Sequence, residues 1–130
     1  MNELNKYLRG LVKMVCLDTT FAIDLLRGNK TAKDKLISLE NLGEIASLAS
    51  PTVMELVSGS ILSPKTKNEK DKVIEFISSF TVLPFDMDCA VKSGEIEADL
   101  IKKGEIIQTE DIMIGAIAII NNETLFTRNK

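Results

Sequence analysis

Short apolar segments along the chain alternate with longer segments in which apolar residues recur every three or four positions. The short segments lie at residues 15–17, 44–49, 81–85 and 125–127. Runs of this length are typical of buried strands, whereas recurrence at three or four positions is typical of one face of a helix. Strands that alternate with helices in this way predict an α/β fold with a central parallel sheet of about four strands, flanked by helices.

Capping residues and glycines mark the ends of the predicted helices. Thr19 or Thr20 is predicted to cap the first helix, which runs to Gly28, a residue type that is common just after a helix end. The other helices are predicted over about residues 31–42, from 50 to before 63, up to about 80, from a cap at Asp86 or Asp88 to 102–104, and over 110–120 with Thr109 as cap.

Composition narrows the chemistry that such a fold could support. The chain of 130 residues has no histidine, and its two cysteines, Cys16 and Cys89, are far apart in the sequence. These counts disfavour histidine-activated nucleophiles, imidazole metal ligands and a cysteine zinc site. The longest uncharged apolar run, at 112–120, is about half as long as a membrane-spanning helix. With no signal peptide at the N-terminus, a cytoplasmic protein that does not enter the membrane is expected.

Three acidic residues lie close to the predicted ends of strands. Asp18 follows the first strand, Glu55 lies in the helix after the second strand, and Asp111 lies in the first turn of the 110–120 helix. Each has an ordinary explanation: a helix cap for Asp18, a solvated helix stripe for Glu55, and a partner of the helix dipole for Asp111. Because parallel strands end at one edge of the sheet, the three acids could also meet in one pocket.

A divalent cation would relieve the repulsion among carboxylates in such a pocket. Mg²⁺ or Mn²⁺ prefers oxygen ligands and is typically held by one or two carboxylates together with substrate phosphate. In a chain without histidine, a water activated by the metal is the expected nucleophile for phosphodiester hydrolysis. The residues therefore predict a catalytic metal site formed by Asp18, Glu55 and Asp111.

Four segments of the chain resemble the PIN-domain ribonucleases, particularly the VapC-type toxins of toxin–antitoxin pairs. The segments are LDTTFAIDLLRG, which contains Asp18, SPTVMELVSG, which contains Glu55, GEIIQTEDIMIGAIAI, which contains Asp111, and LFTRN at residues 125–129. The resemblance implies a PIN-like three-layer domain, a Mg²⁺ or Mn²⁺ site and endonucleolytic cleavage of RNA. It also implies a homodimer and a cognate antitoxin protein whose tail blocks the active groove.

The resemblance begins near Met14 and divides the chain into an N-terminal extension, residues 1–13, and a PIN-like nuclease domain, residues 14–130. Thr20 stands where the family pattern often has asparagine. Many relatives supply a fourth acidic or polar ligand and a closing strand just where this sequence ends. The domain is therefore expected to be shortened at its C-terminus, with Asn129 as the stand-in metal ligand.

Local positive charge is required if a chain with a net charge of −3 is to hold RNA. Arg128, which lies beside Asn129, is one predicted phosphate contact. The other predicted contacts form a lysine cluster, Lys65, Lys67, Lys70 and Lys72. Taken alone, the same cluster is more typical of a solvated loop and helix face.

Other aspartate-based α/β classes fit the residues less well. A haloacid-dehalogenase-type phosphatase would need an acid at position 20, and a phosphoacceptor receiver domain would need an acidic pair at the first strand. The main alternative function is a PIN-like module that binds protein or RNA without cleaving it. Metal-dependent cleavage of RNA separates the two functions.

Overall fold

Strands and helices alternate through the described residues of the computed structural model, which are 3–4, 13–62 and 68–127. The strands are β1 (Met14–Leu17), β2 (Ile45–Ala49), β3 (Thr81–Leu83) and β4 (Thr124–Phe126). The helices are α1 (Thr19–Leu26), α2 (Lys30–Asn41), α3 (Ser50–Leu62), α4 (Glu69–Ser78), α5 (Met87–Lys102) and α6 (Thr109–Ile120). In these parts of the chain, every helix is too short or too polar to span a membrane. Most of the predicted extension, 1–13, lies outside them, so the domain division stays a prediction.

All four strands are parallel and lie in the order β3-β2-β1-β4, which confirms the predicted sheet. The register places Cys16 of β1 between Ser47 of β2 and Leu125 of β4. β3 ends two residues earlier than predicted, because Pro84 has no N–H with which to continue the ladder. The next N–H, that of Phe85, donates to Ser50 Oγ at 3.1 Å instead.

The sheet separates two hydrophobic clusters, because successive strand residues point to opposite faces. Leu17 and Leu48 belong to a cluster that also contains buried residues of α1, α2, α3 and α4. Cys16 and Ala49 belong to a second cluster on the other face, with buried residues of α5 and α6. Helices therefore cover both faces, which confirms the expected three-layer arrangement.

The path of the chain reverses along the sheet between β1 and β4. From β1 the chain passes to β2 and then to β3, with α1–α4 on one face, and α5 and α6 return it over the other face to β4. Ligands of open parallel sheets bind outside the carboxyl ends of the strands at such a reversal point. The residues that follow β1 and β4 therefore lie where this fold is expected to bind a ligand.

The structure decides among the three predicted caps of α1. Asp18, rather than Thr19 or Thr20, is the N-cap, and its Oδ1 accepts a hydrogen bond from the Phe21 N–H at 2.8 Å. Aspartate is among the strongest N-cap residues, and its extended backbone at the end of β1 already suits the cap position. The hydroxyl of Thr19 is consequently available for other contacts.

The remaining helix ends agree with the prediction except at α6. Asp86 caps α5 through the Cys89 N–H, and Gly28, which follows α1, has a φ of +78° that favours glycine. The predicted cap Thr109 is wrong, because α6 begins at Thr109 itself and Gln108 holds the cap position without a side-chain hydrogen bond. α6 contains more buried residues than any other described helix, as its apolar sequence predicts.

Candidate active site

Asp18 lies directly beyond the carboxyl end of β1, at the reversal point of the sheet. Its backbone N–H donates to the carbonyl of Phe126, the last residue of β4, at 3.0 Å. Its side chain is half-buried, and one oxygen accepts the capping hydrogen bond from Phe21. An ionised carboxylate has about four lone-pair sites, so capping leaves acceptor capacity for a cation. The cap explanation and the ligand prediction are therefore compatible.

Glu55 lies on the second turn of α3 and is connected to the turn that contains Asp18. Thr19 Oγ1 donates to Glu55 Oε1 at 3.0 Å and lies 3.0 Å from Thr52 Oγ1. Thr52 is fully buried, whereas Thr19 and Glu55 are half-buried. The structure therefore brings the helix that follows Asp18 into side-chain contact with Glu55.

A cavity of about 350 Å³ opens beside Glu55 where α1, α3 and α4 meet. Its apolar lining comes from Ile23, Leu26, Leu56 and Val73. Arg27, Glu69 and Lys72 supply charge at the same cavity. The small residue Gly59 also lines it. The cavity is large enough for part of a substrate and lies against one of the predicted catalytic acids.

Asp111 is exposed in the first turn of α6, and its backbone N–H donates to the carbonyl of Gln108 at 3.1 Å. α6 ends three residues before β4, which runs parallel to β1, so the helix returns antiparallel to the strands. A helix of twelve residues is about 18 Å long. Its first turn, and Asp111 with it, therefore lies toward the carboxyl edge of the sheet.

The described residues contain no group of three or more aspartate, glutamate or cysteine side chains that could hold a metal ion. The hydroxyl of Thr19 connects Glu55 to the turn of Asp18, and Asp111 approaches this edge from the opposite face of the sheet. The donors are carboxylate oxygens, the ligand type that Mg²⁺ and Mn²⁺ prefer, and one or two of them are sufficient when substrate and water complete the shell. The donor chemistry thus fits the predicted ion, and the complete ligand set stays a prediction.

The predicted RNA contacts fall partly outside the described residues. Lys65, Lys67, Arg128 and the stand-in ligand Asn129 lie there. Lys70 is exposed in the first turn of α4, and Lys72 lines the cavity beside Glu55 and pairs with Glu69 at 3.8 Å. Of the described lysines in the cluster, Lys72 is therefore the one that reaches the candidate site.

Three residues at the site were not identified as site residues from the sequence. Arg27 lines the cavity, and its position at the end of the helix that begins beside Asp18 was the available signal. Thr52 precedes Glu55 by three residues and therefore shares its side of α3. Thr19 was interpreted as a cap, and only its contact with α3 reveals its other partner.

The cysteine thiols are unsuited to nucleophilic chemistry. Burial, reinforced by the nearby Glu123 carboxylate, raises the pKa of Cys16 to about 12. Burial also raises the pKa of Cys89 above its ordinary value. Because the thiolate is the reactive form, both residues are core residues rather than catalytic ones.

Comparison with known proteins gives consistent matches over most of the chain. A family model described as PIN domain matches residues 15–130. Ribonuclease VapC1 of Rickettsia felis is 30% identical over 117 residues, which cover 87% of this chain and 83% of the relative. The tRNA(fMet)-specific endonuclease VapC of Shigella flexneri is 29% identical over 119 residues, which cover 86% of this chain and 89% of the relative. A crystal structure of DNA-bound VapBC from Salmonella typhimurium superimposes with a TM-score of 0.79 at 27% identity, covering 91% of this chain and 87% of that one.

Proposed function

Because the chain belongs to the PIN-domain family, and within it to the VapC-type toxins, we propose that it is an endoribonuclease that hydrolyses RNA with Mg²⁺ or Mn²⁺. The observation that carries the proposal is the contact between Thr19 and Glu55, which connects Glu55 to the residue that directly follows Asp18. A helix cap would explain Asp18 alone. It would not explain why the next residue holds a second half-buried carboxylate.

In the proposed site Asp18 and Asp111 are the principal metal ligands, and Asn129 assists them. When bound, the ion supplies a more acidic water and positive charge against the scissile phosphate. Glu55 either adds a ligand or accepts the proton of the attacking water, and Thr19 donates a hydrogen bond to its Oε1. The cavity beside Glu55 gives the substrate access to this carboxylate.

Local cations hold the RNA in this proposal, because the net charge of the chain is negative. Lys72 and Arg27 lie at the cavity, Lys70 lies near the start of α4, and Lys65, Lys67 and Arg128 complete the predicted set. Phosphate contacts release counterions, so binding weakens as the salt concentration rises. The name of the Shigella flexneri relative makes transfer RNA the first substrate to test.

An antitoxin protein is the proposed partner, since the Salmonella typhimurium structure is a complex of VapB with VapC. A second copy of this chain is the proposed dimer partner. Met54, Ile61 and Leu62 form an exposed apolar stripe along α3, and these residues are 59%, 58% and 81% exposed. Sedimentation should give a dimer at micromolar concentration, and Leu62→Asp should shift it toward monomer. A wild-type monomer at this concentration would contradict the assembly proposal.

RNA cleavage by matched variants tests the proposed function. Wild type and Glu55→Gln are compared with Glu97→Gln, which changes an exposed glutamate on α5 in the same way. Several RNAs, including transfer RNA, are incubated with Mn²⁺ and then with excess EDTA. The wild type and Glu97→Gln should cleave only with the metal, and Glu55→Gln should lose most of this activity. If the wild type cleaves no RNA, the chain is instead a binding module.

A further inference from the structure

Two threonine hydroxyls and a carboxylate form a chain of contacts between α1 and α3. Thr19 Oγ1 lies 3.0 Å from Glu55 Oε1 and 3.0 Å from Thr52 Oγ1. The residues are far apart in sequence, so only the packing of α1 against α3 brings them together. Thr52 is fully buried, and Thr19 provides its hydroxyl with a hydrogen-bond partner.

The direction of the hydrogen bonds follows from counting protons. An ionised carboxylate only accepts, and a threonine hydroxyl has one proton to donate. Thr19 must therefore give its proton to Glu55. Thr52 must then donate to Thr19, whose oxygen still has a free lone pair. With Glu55 ionised, both hydroxyl protons in this chain of contacts have an acceptor. Thr19 then donates to one oxygen of Glu55, and the other oxygen can accept from a ligand or a water.

Capping does not explain the hydroxyl of Thr19. The side chain of Asp18 already caps α1 through the Phe21 N–H at 2.8 Å, so the first residue of the helix has no capping role left. The same hydrogen bond fixes the Asp18 carboxylate relative to the turn that contains Thr19. Asp18 and Glu55 are thus both positioned by the first turn of α1.

We propose that Thr19 is a positioning residue that sets the orientation of Glu55 relative to Asp18, and that Thr52 orients the Thr19 hydroxyl. This inference rests on the proposed function, since it assigns a purpose to the geometry of that same site. A glutamate has several rotatable bonds, and a displacement of about 1 Å at a reacting group can reduce a rate by about 100-fold. A hydroxyl that fixes Glu55 therefore has a large effect on the chemistry, and its removal also takes a hydrogen-bond partner from the buried Thr52.

Three variants separate the hydroxyl from the shape of the side chain. Thr19→Val keeps the branched shape and removes the hydroxyl, and Thr19→Ser keeps the hydroxyl. The control is Thr31→Val, which makes the same change at an exposed threonine in the first turn of α2, away from Glu55. Each protein is first checked by urea unfolding. Each is then assayed for RNA cleavage and for Mn²⁺ binding, measured from the electron paramagnetic resonance signal of the free ion.

Thr19→Val should lower kcat by about 10- to 100-fold with little change in KM, and it should weaken Mn²⁺ binding measurably. Thr19→Ser should restore most of both, and Thr31→Val should match the wild type. If Thr19→Val matches Thr31→Val in cleavage and in Mn²⁺ binding, the proposal is wrong. Equal defects in Thr19→Val and Thr19→Ser would assign the effect to packing and would likewise overturn it.

Two further outcomes keep this test distinct from the test of the function. If the wild type binds Mn²⁺ but cleaves no RNA, the proposed function fails, while the comparison of Mn²⁺ binding by Thr19→Val and Thr31→Val still decides the positioning role. If the wild type does not bind Mn²⁺, both proposals are overturned. Should Thr19→Val not fold, Thr52→Val takes its place, with a smaller loss of kcat expected and an unchanged kcat as the contrary result.

Discussion

Asp18 has a structural role that is visible in the fold and a catalytic role that is proposed, and substitution can separate the two. Asp18→Ala removes both the capping oxygen and the charge. Asp18→Asn removes the charge but keeps an oxygen in position to accept the Phe21 N–H, which the carboxylate now accepts at 2.8 Å. The two variants should therefore differ in stability and agree in activity.

The expected magnitude follows from the cap. Replacing an aspartate cap by alanine costs about 1 kcal/mol, whereas asparagine caps about as well as aspartate. For a chain of 130 residues, a loss of this size lowers Tm by about 4 °C. Asp18→Ala should therefore melt about 4 °C below the wild type, and Asp18→Asn should melt within about 1 °C of it. Both should lose RNA cleavage, because neither side chain supplies the charge that a divalent cation requires.

Thermal unfolding in metal-free buffer and cleavage of RNA with Mn²⁺ are the two assays. EDTA in the unfolding buffer ensures that a lost ion does not contribute to the difference in Tm. Equal melting of Asp18→Ala and Asp18→Asn would contradict the assigned cap. Full cleavage by Asp18→Asn would contradict the proposed role of the carboxylate, whatever the melting temperatures.

Three further predictions concern the fold itself. Neither Cys16 nor Cys89 should react with a thiol reagent at pH 8 in the native protein, because burial raises the pKa of both thiols. Both should react when the protein is unfolded in urea. Rapid reaction of the native protein would refute their assignment to the core. The hydrogen bond from the Cys89 N–H holds the pKa of Asp86 below its ordinary 3.8, so the stabilisation from this carboxylate is present above that pH and is lost as the pH falls through the lower folded-state value. Urea unfolding at pH 7 and pH 3 should therefore show a smaller acid loss for Asp86→Asn than for the wild type, and an identical loss would contradict this. Gly28→Ala should destabilise the protein by about 1–2 kcal/mol, because φ is +78° at this position. Gly94→Ala, in the middle of α5 where a Cβ meets no neighbour, should stabilise the protein by about 0.5–1 kcal/mol. A change of the same sign in both variants would contradict this prediction.

The strands could be predicted from the sequence because short apolar runs and helical periodicity differ strongly in their spacing. Their exact ends could not, because they depend on single hydrogen bonds. The ladder of β3 stops before Pro84, and the Phe85 N–H donates to Ser50, which is distant in the sequence. The cap of α1 could not be assigned for a related reason, since Asp18 and two threonines were all suitable and only the backbone geometry selects one.

The position of the candidate site could also be predicted only in part from the sequence. Parallel topology alone places Asp18 at the carboxyl edge of the sheet and directs the start of α6, with Asp111, toward it. The contact of Thr19 with Glu55 was not predictable, because it depends on how α1 packs against α3. The cavity is likewise a product of packing, and it joins Arg27 and Lys72 from helices that are distant in the sequence.

We propose that Asp18, Glu55 and Asp111 hold one divalent ion at the carboxyl edge of the sheet. Anomalous diffraction from crystals of the wild-type protein soaked in Mn²⁺ tests it most directly. We expect a manganese peak about 2 Å from carboxylate oxygens of Asp18 and Asp111, with Glu55 in contact with the ion or with a water bound to it. A fully occupied manganese site elsewhere, or no peak at Asp18 in a crystal that has taken up the ion, would contradict it.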